Sequence, residues 1–361
     1  MVKKLLVAII MVISIFTSNI PVKALENSEP ITTLSCQYAV AIDAKSGLVL
    51  YNKNMDERMY PASMTKVMTV IVALEMMKDT STTTVITQSD IDTVWETGAY
   101  SANFEVGEVV TYEDLLYGAI LPSGADATRA LANNLCGSQE AFVAIMNELA
   151  GELGLKDTHF VTPHGLDEDE HYTTAYELAK IADYALNIEE IAKIVKTKVY
   201  TININGYSKN IKNTNELLGY LEGVYGVKTG FTNGANRCLV TSVKRGEMNV
   251  ICVVLGADTK KDRTQDSIKL IEYSFSNYQM VDLKFMIEDE FDTLVDKAKF
   301  SIVKGINNNL TIDLEEFDIT LYPVHKEDIK DIKIETELRE NLIAPVYKND
   351  KIRKSYIKNR R

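Results

Sequence analysis

The chain has 361 residues, of which 46% are hydrophobic and 25% are charged, and its formal net charge is −12 at neutral pH. Its length predicts one large domain and one small one. Such an acidic chain is a poor candidate for binding nucleic acid, because that binding depends on cationic side chains that neutralise phosphates.

The N-terminus has the pattern of a signal peptide. Lys3 and Lys4 precede an apolar stretch over residues 5–16, and Ala24 is a small residue at a suitable cleavage position. The alternative is a buried or membrane-spanning helix, but a span needs about 20 apolar residues. We therefore expect residues 1–24 to be removed on export. The mature protein is expected outside the cytoplasm, secreted or at the wall or membrane surface, without a transmembrane anchor.

The next elements are predicted to be a hairpin followed by helices. Two alternating apolar runs surround residues 45–47, Lys-Ser-Gly, which indicates a β-hairpin. Pro61 can begin a helix that reaches about Met77. Apolar residues recur at helical spacing over 112–135 and 138–151. Residues 173–177 place threonine and glutamate as in a capping box, which begins another helix.

From Lys198 onward the sequence indicates strands. The runs YGVKTGFT, RCLVTSVKR and MNVICVVLGAD are rich in β-branched residues and separated by Gly and Asn, and a last helix is predicted over 262–278. We expect residues 25–280 to form an α+β domain, in which the first and last strands of one sheet meet beside a helical subdomain. Residues 281–350 predict a small all-β domain, and residues 351–361 form a basic tail.

The four cysteines show no metal-binding spacing. Cys238 and Cys252 are placed symmetrically about a turn at residues 245–246, so they are possible cross-strand neighbours. A disulfide between directly paired strands is strained. Free, packed thiols are therefore the preferred interpretation for these two, and Cys36 and Cys136 are also interpreted as structural.

Three copies of the pattern Ser-x-x-Lys occur, at 63–66, 301–304 and 355–358. In a helix, residues i and i+3 share a face. Ser63 and Lys66 are therefore either a nucleophile with its base or two polar residues on one helix. A serine hydroxyl needs a base, and lysine serves as one only where burial or another cation lowers its pKa.

Two later segments offer the missing parts of an acyl-transfer site. LPSGADATRAL places Ser123 at a glycine-containing turn before a helix, and GVKTGFT places Lys228-Thr229-Gly230 in a strand. The order Ser-x-x-Lys, Ser, Lys-Thr-Gly is that of the serine–lysine acyltransferases that recognise D-Ala-D-Ala and β-lactams. The other two Ser-x-x-Lys copies lie away from any Lys-Thr-Gly and are interpreted as coincidence.

The sequence resembles the low-molecular-mass penicillin-binding D-alanyl-D-alanine carboxypeptidases. The segments PASMTK, FEVGEVVTYEDLLYGAILPSGADA, HFVTPHGLD, HYTTAYELA and VKTGFT match that family in order, over about residues 34–280 and more loosely beyond. The resemblance implies the penicillin-binding/β-lactamase-like transpeptidase fold. It also implies peptidoglycan stem peptides ending in D-Ala-D-Ala as substrates, β-lactams as inhibitors, and no metal or organic cofactor.

The resemblance also implies catalytic roles. Ser63 would be the acylated nucleophile, Lys66 its general base, and Ser123 the relay of a proton to the leaving D-alanine. The backbone N–H groups of Ser63 and Phe231 would form the oxyanion hole. His164, in the segment PHGLD, is expected to be a structural turn residue rather than a base.

Substrate binding would fall to a second group of residues. Lys228 would supply positive potential, Thr229 would bind the terminal carboxylate, and Gly230 would let the substrate backbone lie alongside the strand. Arg263 falls where the family places an arginine for the same carboxylate. The alternative for Arg263 is a solvated residue at the start of a helix.

The sequence departs from the family pattern in its middle motif. Where the family usually has Ser-x-Asn, this chain has Ala125, which cannot donate to a substrate carbonyl or hold Lys66. Asp126 is one position late and is expected to point elsewhere. Either a neighbouring polar group substitutes or activity is reduced, and retained activity is the preferred hypothesis.

A second departure concerns the end of the chain. The family's β domain normally continues into an amphipathic membrane-binding helix, whereas residues 351–361 carry six basic residues without an apolar stripe. The sequence is therefore interpreted as having a truncated β domain. The interpretations are a solvated tail or weak attachment to anionic lipid or wall polymer.

Two other functions are alternatives for this sequence. A β-lactamase would need a glutamate followed by x-x-Leu-Asn, which DEDEHYTTAYEL lacks. The alternative from another class is a catalytically impaired binder of penicillin or muropeptides, with Ala125 as its mark. The preferred prediction is a serine-type D-alanyl-D-alanine carboxypeptidase.

Overall fold

A computed structural model describes most of the chain. The described residues are 33–92, 97–204, 206–284, 286, 301–303, 321–338, 341–343 and 353–358. The helices in them are α1 (Thr65–Met76), α2 (Gln88–Ile91), α3 (Tyr112–Ile120), α4 (Ala125–Cys136), α5 (Gln139–Glu152), α6 (Ala175–Leu186), α7 (Glu189–Lys196) and α8 (Lys260–Asn277), with 3₁₀ turns at Ala62–Met64 and Ile329–Asp331.

The strands are numbered in the same way. They are β1 (Tyr38–Asp43), β2 (Val49–Lys53), β3 (Thr83–Val85), β4 (Val109–Thr111), β5 (Val199–Ile204), β6 (Tyr207–Lys212), β7 (Val224–Thr232), β8 (Asn236–Arg245), β9 (Met248–Ala257), β10 (Tyr278–Asp282), β11 (Ser301–Val303), β12 (Leu321–His325), β13 (Lys333–Leu338), β14 (Asn341–Ile343) and β15 (Arg353–Lys358).

A five-stranded antiparallel sheet in the order β2-β1-β9-β8-β7 is the centre of the main domain. Strands β1 and β2 form the predicted hairpin, and β8 and β9 turn at Gly246, whose φ of +58° suits glycine. Strand β1 pairs with β9 from Tyr38–Leu255 to Asp43–Val250. The prediction that the first and last strands of the sheet meet is confirmed.

The sheet separates two apolar cores because alternate residues of a strand point to opposite faces. Val40 and Ile42 belong to the larger core with α1, α3, α4, α5 and α6, whereas Ala39 and Ala41 belong to the core beneath α8. An α+β fold with a helical subdomain is confirmed. Just before the strand-rich region lies a helix that sequence patterns missed, α7, which precedes the β5–β6 hairpin.

Cys238 and Cys252 do not face each other across the β8–β9 hairpin. Cys238 is in the larger core and Cys252 in the core beneath α8. Cys252 pairs with Thr241 across β8 and β9, because the hairpin turn, next to the Arg245–Met248 pair, is centred between residues 246 and 247 and not between 245 and 246. The possibility that the two cysteines are cross-strand neighbours is therefore wrong. All four cysteines are free thiols.

The helices follow the predictions with two local differences. The stretch over 112–135 is broken after Ile120, where Ser123 takes a left-handed φ of +69°. At α6, Thr174 caps the helix by accepting from the Glu177 N–H at 3.1 Å. The Glu177 carboxylate does not complete the capping box, and instead accepts hydrogen bonds from residues 156–158.

The C-terminal part contains short paired strands. Strands β10 and β12 pair antiparallel, β11 and β14 parallel, and β13 and β15 antiparallel, which agrees with the predicted small β domain. Strand β15 lies within the predicted basic tail, and it contains the third Ser-x-x-Lys copy in a strand rather than a helix. The predicted signal peptide lies outside the described residues. Within the described ranges, no helix is both long and apolar enough to cross a membrane.

Candidate active site

A 3₁₀ turn and the first turn of α1 hold Ser63 and Lys66 together. Pro61 precedes the turn, and α1 continues directly from it, so the two residues keep helical spacing. The Lys66 Nζ donates to the Ser63 Oγ at 3.0 Å, and the two residues are 3% and 8% exposed. The structure thus brings together the two side chains that the spacing pairs.

The environment of Lys66 suits a proton acceptor. Burial lowers the pKa of its ammonium from 10.5 to about 7, and the charge of Asp126 opposes this only in part. A second hydrogen bond, 2.5 Å long, runs from Nζ to the backbone carbonyl of His164. At neutral pH a substantial fraction of Lys66 is therefore uncharged, within reach of the Ser63 hydroxyl.

Ser123 reaches the same cleft from the break between α3 and α4. Its left-handed backbone turns the chain, and Gly124 fits beside it because a Cβ there would lie 2.8 Å from the Ala102 nitrogen. The Ser123 Oγ is buried and has no hydrogen-bond partner among the described residues. A buried hydroxyl without a partner is costly, and this one is available to a ligand.

Strand β7 forms the opposite wall. It is an edge strand of the sheet, so the side of its backbone away from β8 is not used in sheet pairing. Gly230 lies against the 3₁₀ turn, where a Cβ would come within 2.8 Å of the Met64 Cε and 3.3 Å of the Ser63 nitrogen. Glycine is therefore required for the approach of β7, with Phe231, to the backbone of Ser63.

The cations of β7 and α8 lie behind this wall. Lys228 is buried, and its Nζ donates to the Thr229 carbonyl at 2.9 Å. Burial, and then the charges of Lys66 and Arg263, hold its pKa well below the ordinary value. The Thr229 hydroxyl shares a 2.5 Å hydrogen bond with that of Thr214.

Arg263 is buried rather than solvated, so the solvated alternative is wrong. It is 4% exposed, and its Nη2 donates to the Glu216 carboxylate in an ion pair. The Arg263 Nε is buried and has no partner in the described part of the chain. No sequence pattern singled out Glu216.

In the middle motif, Ala125 and Asp126 follow Ser123 at the start of α4. The Asp126 carboxylate accepts hydrogen bonds from Ser101, Ala102 and Phe104. Ala125 is buried at the start of α4, where its N–H donates to the Tyr100 carbonyl at 2.8 Å. Asp126 thereby fixes residues 101–104 beside the cleft.

A loop that sequence reasoning treated only as a turn supports the site. The Thr69 hydroxyl donates to the Pro163 carbonyl at 2.6 Å, next to the carbonyl that accepts from Lys66. The His164 Nδ1 accepts from the Leu166 N–H at 3.3 Å, which agrees with a role in the turn. Gly165 is needed there because a Cβ would collide with the Ala62 carbonyl.

His171 fastens the far end of this loop. Its Nδ1 accepts from the Val161 N–H at 2.8 Å, so Nε2 carries the proton and donates to the Thr65 hydroxyl at 2.9 Å. The residue is 1% exposed, and burial lowers its pKa from 6.5 to about 4. The neutral imidazole joins the loop to the residue two positions after Ser63.

A cleft of about 290 Å³ collects these groups. Its lining comprises Ser63, Tyr100, Ser123, Asn213, Thr214, Glu216, Thr229, Gly230, Phe231, Arg237, Lys260 and Arg263. All eight predicted site residues thus converge here, with Lys66 and Lys228 buried behind the lining. The arrangement can activate a hydroxyl, bind an oxyanion and receive a carboxylate.

Comparisons with known proteins agree with this geometry. A family model described as D-alanyl-D-alanine carboxypeptidase matches residues 23–259. The D-alanyl-D-alanine carboxypeptidase DacF of Bacillus subtilis is 36% identical over 319 residues, which are 87% of this chain and 79% of that protein. The D-alanyl-D-alanine carboxypeptidase of Streptomyces sp. strain K15 is 36% identical over 257 residues, covering 68% of this chain and 88% of that protein.

Solved structures share the fold. The Streptomyces K15 DD-transpeptidase aligns with a TM-score of 0.66 at 34% identity, covering 69% of this chain and 100% of that one. Penicillin-binding protein 5 from Haemophilus influenzae aligns with a TM-score of 0.78 at 29% identity, covering 92% and 95%. The wider coverage of the second structure extends the similarity into the C-terminal β domain.

Proposed function

The chain belongs to the D-alanyl-D-alanine carboxypeptidase family and is a serine-type hydrolase, and from this premise we propose that Ser63 is its nucleophile. The enzyme removes the terminal D-alanine from peptidoglycan stem peptides ending in D-Ala-D-Ala. The observation that carries the assignment is the 3.0 Å contact between the Ser63 Oγ and a buried Lys66 whose pKa is about 7.

Acylation begins with proton transfer. Neutral Lys66 takes the proton of the Ser63 hydroxyl as Oγ attacks the carbonyl of the penultimate D-alanine. The negative charge that develops on the carbonyl oxygen is received by the N–H groups of Ser63 and Phe231, and one such donor contributes about 3 kcal/mol. The close approach of Gly230 to the Ser63 nitrogen supports this pairing of donors.

Departure of D-alanine needs a proton on its nitrogen. Lys66, now charged, gives its proton through the Ser123 hydroxyl, and the carbon–nitrogen bond breaks. The Ser123 Oγ lines the cleft and has no other partner in the described residues, which supports this relay. Water then attacks the ester, releases the shortened peptide and restores Ser63. A β-lactam acylates the same serine, but its leaving nitrogen stays attached to the acyl group through the opened ring. The leaving group therefore does not diffuse away as D-alanine does.

A carboxypeptidase must recognise the terminal carboxylate of its substrate. Thr229 provides a hydroxyl for it, and Lys228 and Arg263 provide positive potential. Their burial supports this role, because charge interactions are stronger in a site shielded from water. The lowered pKa of Lys228 would rise when the carboxylate binds, since an opposite charge favours the ammonium form.

Ala125 is compatible with turnover in this scheme. The asparagine of the usual motif would hold Lys66, and here the His164 carbonyl accepts a hydrogen bond from the same Nζ. We infer that this backbone group substitutes for the missing side chain. The alternative of a catalytically impaired binder gains no support from the relatives, which are named as carboxypeptidases.

We infer that the protein works outside the cytoplasm, since its family acts on peptidoglycan. Cleavage after residue 24 and weak association of the basic residues 351–361 with anionic lipid or wall polymer complete this proposal. Mass spectrometry of the exported protein tests the cleavage. Sedimentation with anionic vesicles tests the association, which loss of binding after removal of residues 351–361 would support.

The central experiment is D-alanine release from a peptide ending in Lys-D-Ala-D-Ala, measured for the purified protein and for Ser63→Ala. We expect release by the wild type, its abolition in the variant, and its inhibition by benzylpenicillin. A folded wild-type protein that neither releases D-alanine nor becomes acylated by penicillin would overturn the assignment of Ser63.

A further inference from the structure

A glutamate occupies the part of the cleft assigned to the substrate carboxylate. Glu216, in the loop between β6 and β7, lines the cleft beside Thr229 and Arg263. Its Oε1 accepts from the Arg263 Nη2 and from the Thr264 hydroxyl. Its Oε2 is buried and has no partner among the residues described. The guanidinium that would receive an incoming carboxylate is therefore already paired with one.

The Glu216–Arg263 pair places a negative charge in a cleft whose described lining otherwise has only cations among its charged residues. Three cations line it, Arg237, Lys260 and Arg263, and Glu216 is the one carboxylate in its described lining. Burial opposes ionisation of Glu216, but the hydrogen bond from Thr264 and the charge of Arg263 lower its pKa below the ordinary value. Glu216 is consequently an anion at neutral pH.

Arg263 cannot easily exchange partners. Its side chain is 5% exposed, and that of Glu216 is 26% exposed. A substrate carboxylate that approaches Arg263 must share the guanidinium with Glu216 or displace it. Sharing places two carboxylates close together beside a buried guanidinium, and like charges in such a position weaken binding.

We propose that Glu216 is a specificity-determining residue, a resident carboxylate that competes with the substrate's terminal carboxylate for Arg263. The proposal rests on the proposed function, because it takes the cleft as the D-Ala-D-Ala site. Glu216 lowers the affinity of every ligand that carries a carboxylate in this position, β-lactams included. A ligand that lacks the terminal carboxylate has nothing to compete for and does not experience this effect.

The test is Glu216→Gln, which keeps the shape of the side chain and removes its charge. The matched control is Glu272→Gln, which breaks the Arg245–Glu272 ion pair (2.7 Å) outside the cleft. KM and kcat are measured for a peptide ending in Lys-D-Ala-D-Ala, together with the second-order rate of acylation by benzylpenicillin. For Glu216→Gln we expect KM to fall on the order of tenfold and penicillin acylation to accelerate similarly, with kcat within about twofold. Glu272→Gln should match the wild type.

A ligand control separates competition from a general change in the site. Binding of the same peptide with its C-terminus amidated, measured as inhibition of penicillin acylation, should differ by less than about twofold between the wild type and Glu216→Gln. If Glu216→Gln does not fold, as judged by its thermal transition, Glu216→Gly is tested in its place.

The outcomes are distinguishable. An unchanged KM in Glu216→Gln overturns the proposal. An increased KM also overturns it, and would show that Glu216 orients Arg263 for the substrate. An equal gain for the amidated peptide also overturns it, since the carboxylate would then not be the competing group. A wild type that is inactive and not acylated instead overturns the proposed function.

Discussion

Two clefts in the described part of the main domain are similar in size and differ in chemistry. The cleft beside Ser63 has a volume of about 290 Å³, and a second, between the β1–β2 hairpin and α6, has about 310 Å³. The second also holds a perturbed group, Asp183, whose pKa is raised to about 6 by burial and by the charge of Asp43. Volume and a shifted pKa therefore do not by themselves mark a reaction centre.

What distinguishes the first cleft is convergence. There a lysine of lowered pKa contacts a hydroxyl, whereas in the second cleft the Lys180 Nζ lies 5.9 Å from the centre of the Tyr176 ring. In the described residues, Lys180 and Asp183 form no ion pair, although both line that cleft. A nucleophile, a base and a binding group in one place are the signature of catalysis.

The largest expected difference between the clefts comes from their lysines. Lys66→Gln should lower kcat/KM for D-alanine release by about 10³-fold or more, because it removes the general base. Lys180→Gln in the second cleft should change it by less than about twofold. Comparable losses in the two variants, with both folded, would show that the second cleft takes part in the reaction.

Glycine substitution tests how closely β7 must approach Ser63. Gly230→Ala should lower kcat by about 10²–10³-fold, because the added Cβ separates β7 from the 3₁₀ turn and misplaces the oxyanion donors. Gly151→Ala is the control, since a Cβ there meets no atom within 4 Å. Steady-state kinetics of both variants measure the effect. A fully active Gly230→Ala would contradict the assignment of the Ser63 and Phe231 N–H groups as the oxyanion hole.

The loop behind the first cleft should give the protein a pH-dependent stability. Between pH 6.5 and about 4 the unfolded chain binds a proton on His171 and the native chain does not. This contribution to stability is therefore present above pH 6.5 and is lost as the pH falls towards 4, by about 3 kcal/mol in total.

Urea unfolding of the wild type and His171→Asn from pH 7 to pH 4 measures this effect. The wild type should lose more stability than the variant, because the variant lacks the titrating imidazole. His159→Asn, in a half-exposed position, should weaken the dependence only in part, because burial is the main cause of the lowered pKa of His171 and the charge of His159 is the second. If the free energy of unfolding falls equally with pH in the wild type and in His171→Asn, groups other than His171 cause the acid sensitivity.

The smallest expected effect is that of restoring the usual motif. Ala125→Asn should change kcat by less than about threefold, because the His164 carbonyl already accepts from Lys66. Single-turnover and steady-state release of D-alanine measure it, and the thermal transition of the variant shows whether the buried position accepts the larger side chain. A gain of tenfold or more would instead mean that the natural site is damaged.

Much of this site could be predicted from the sequence because its parts have local signatures. Ser63 and Lys66 share a helix, Lys228 to Gly230 form a contiguous motif, and the β8–β9 hairpin is marked by its glycine. These features depend on neighbours a few residues away, and local geometry determines them.

The remainder depends on contacts between distant segments. The His164 carbonyl that holds Lys66 belongs to the backbone, which carries no residue-specific signal. Glu216 and Arg263 are 47 positions apart, and their pairing becomes visible only when the loop before β7 packs on α8. The β8–β9 hairpin is a local exception, since a turn centred one residue later than expected places Cys252 opposite Thr241 and not opposite Cys238.

The pairing of β1 with β9 has a consequence for how the protein folds. Residue 38 finds its partner at residue 255, so the central sheet forms only after a very long loop closes. Contacts of such high sequence separation slow folding. The N-terminal half of the domain cannot complete the sheet alone, because β7, β8 and β9 all follow residue 223. The active centre, which lies between α1 and β7, is therefore complete only when both halves of the domain are present.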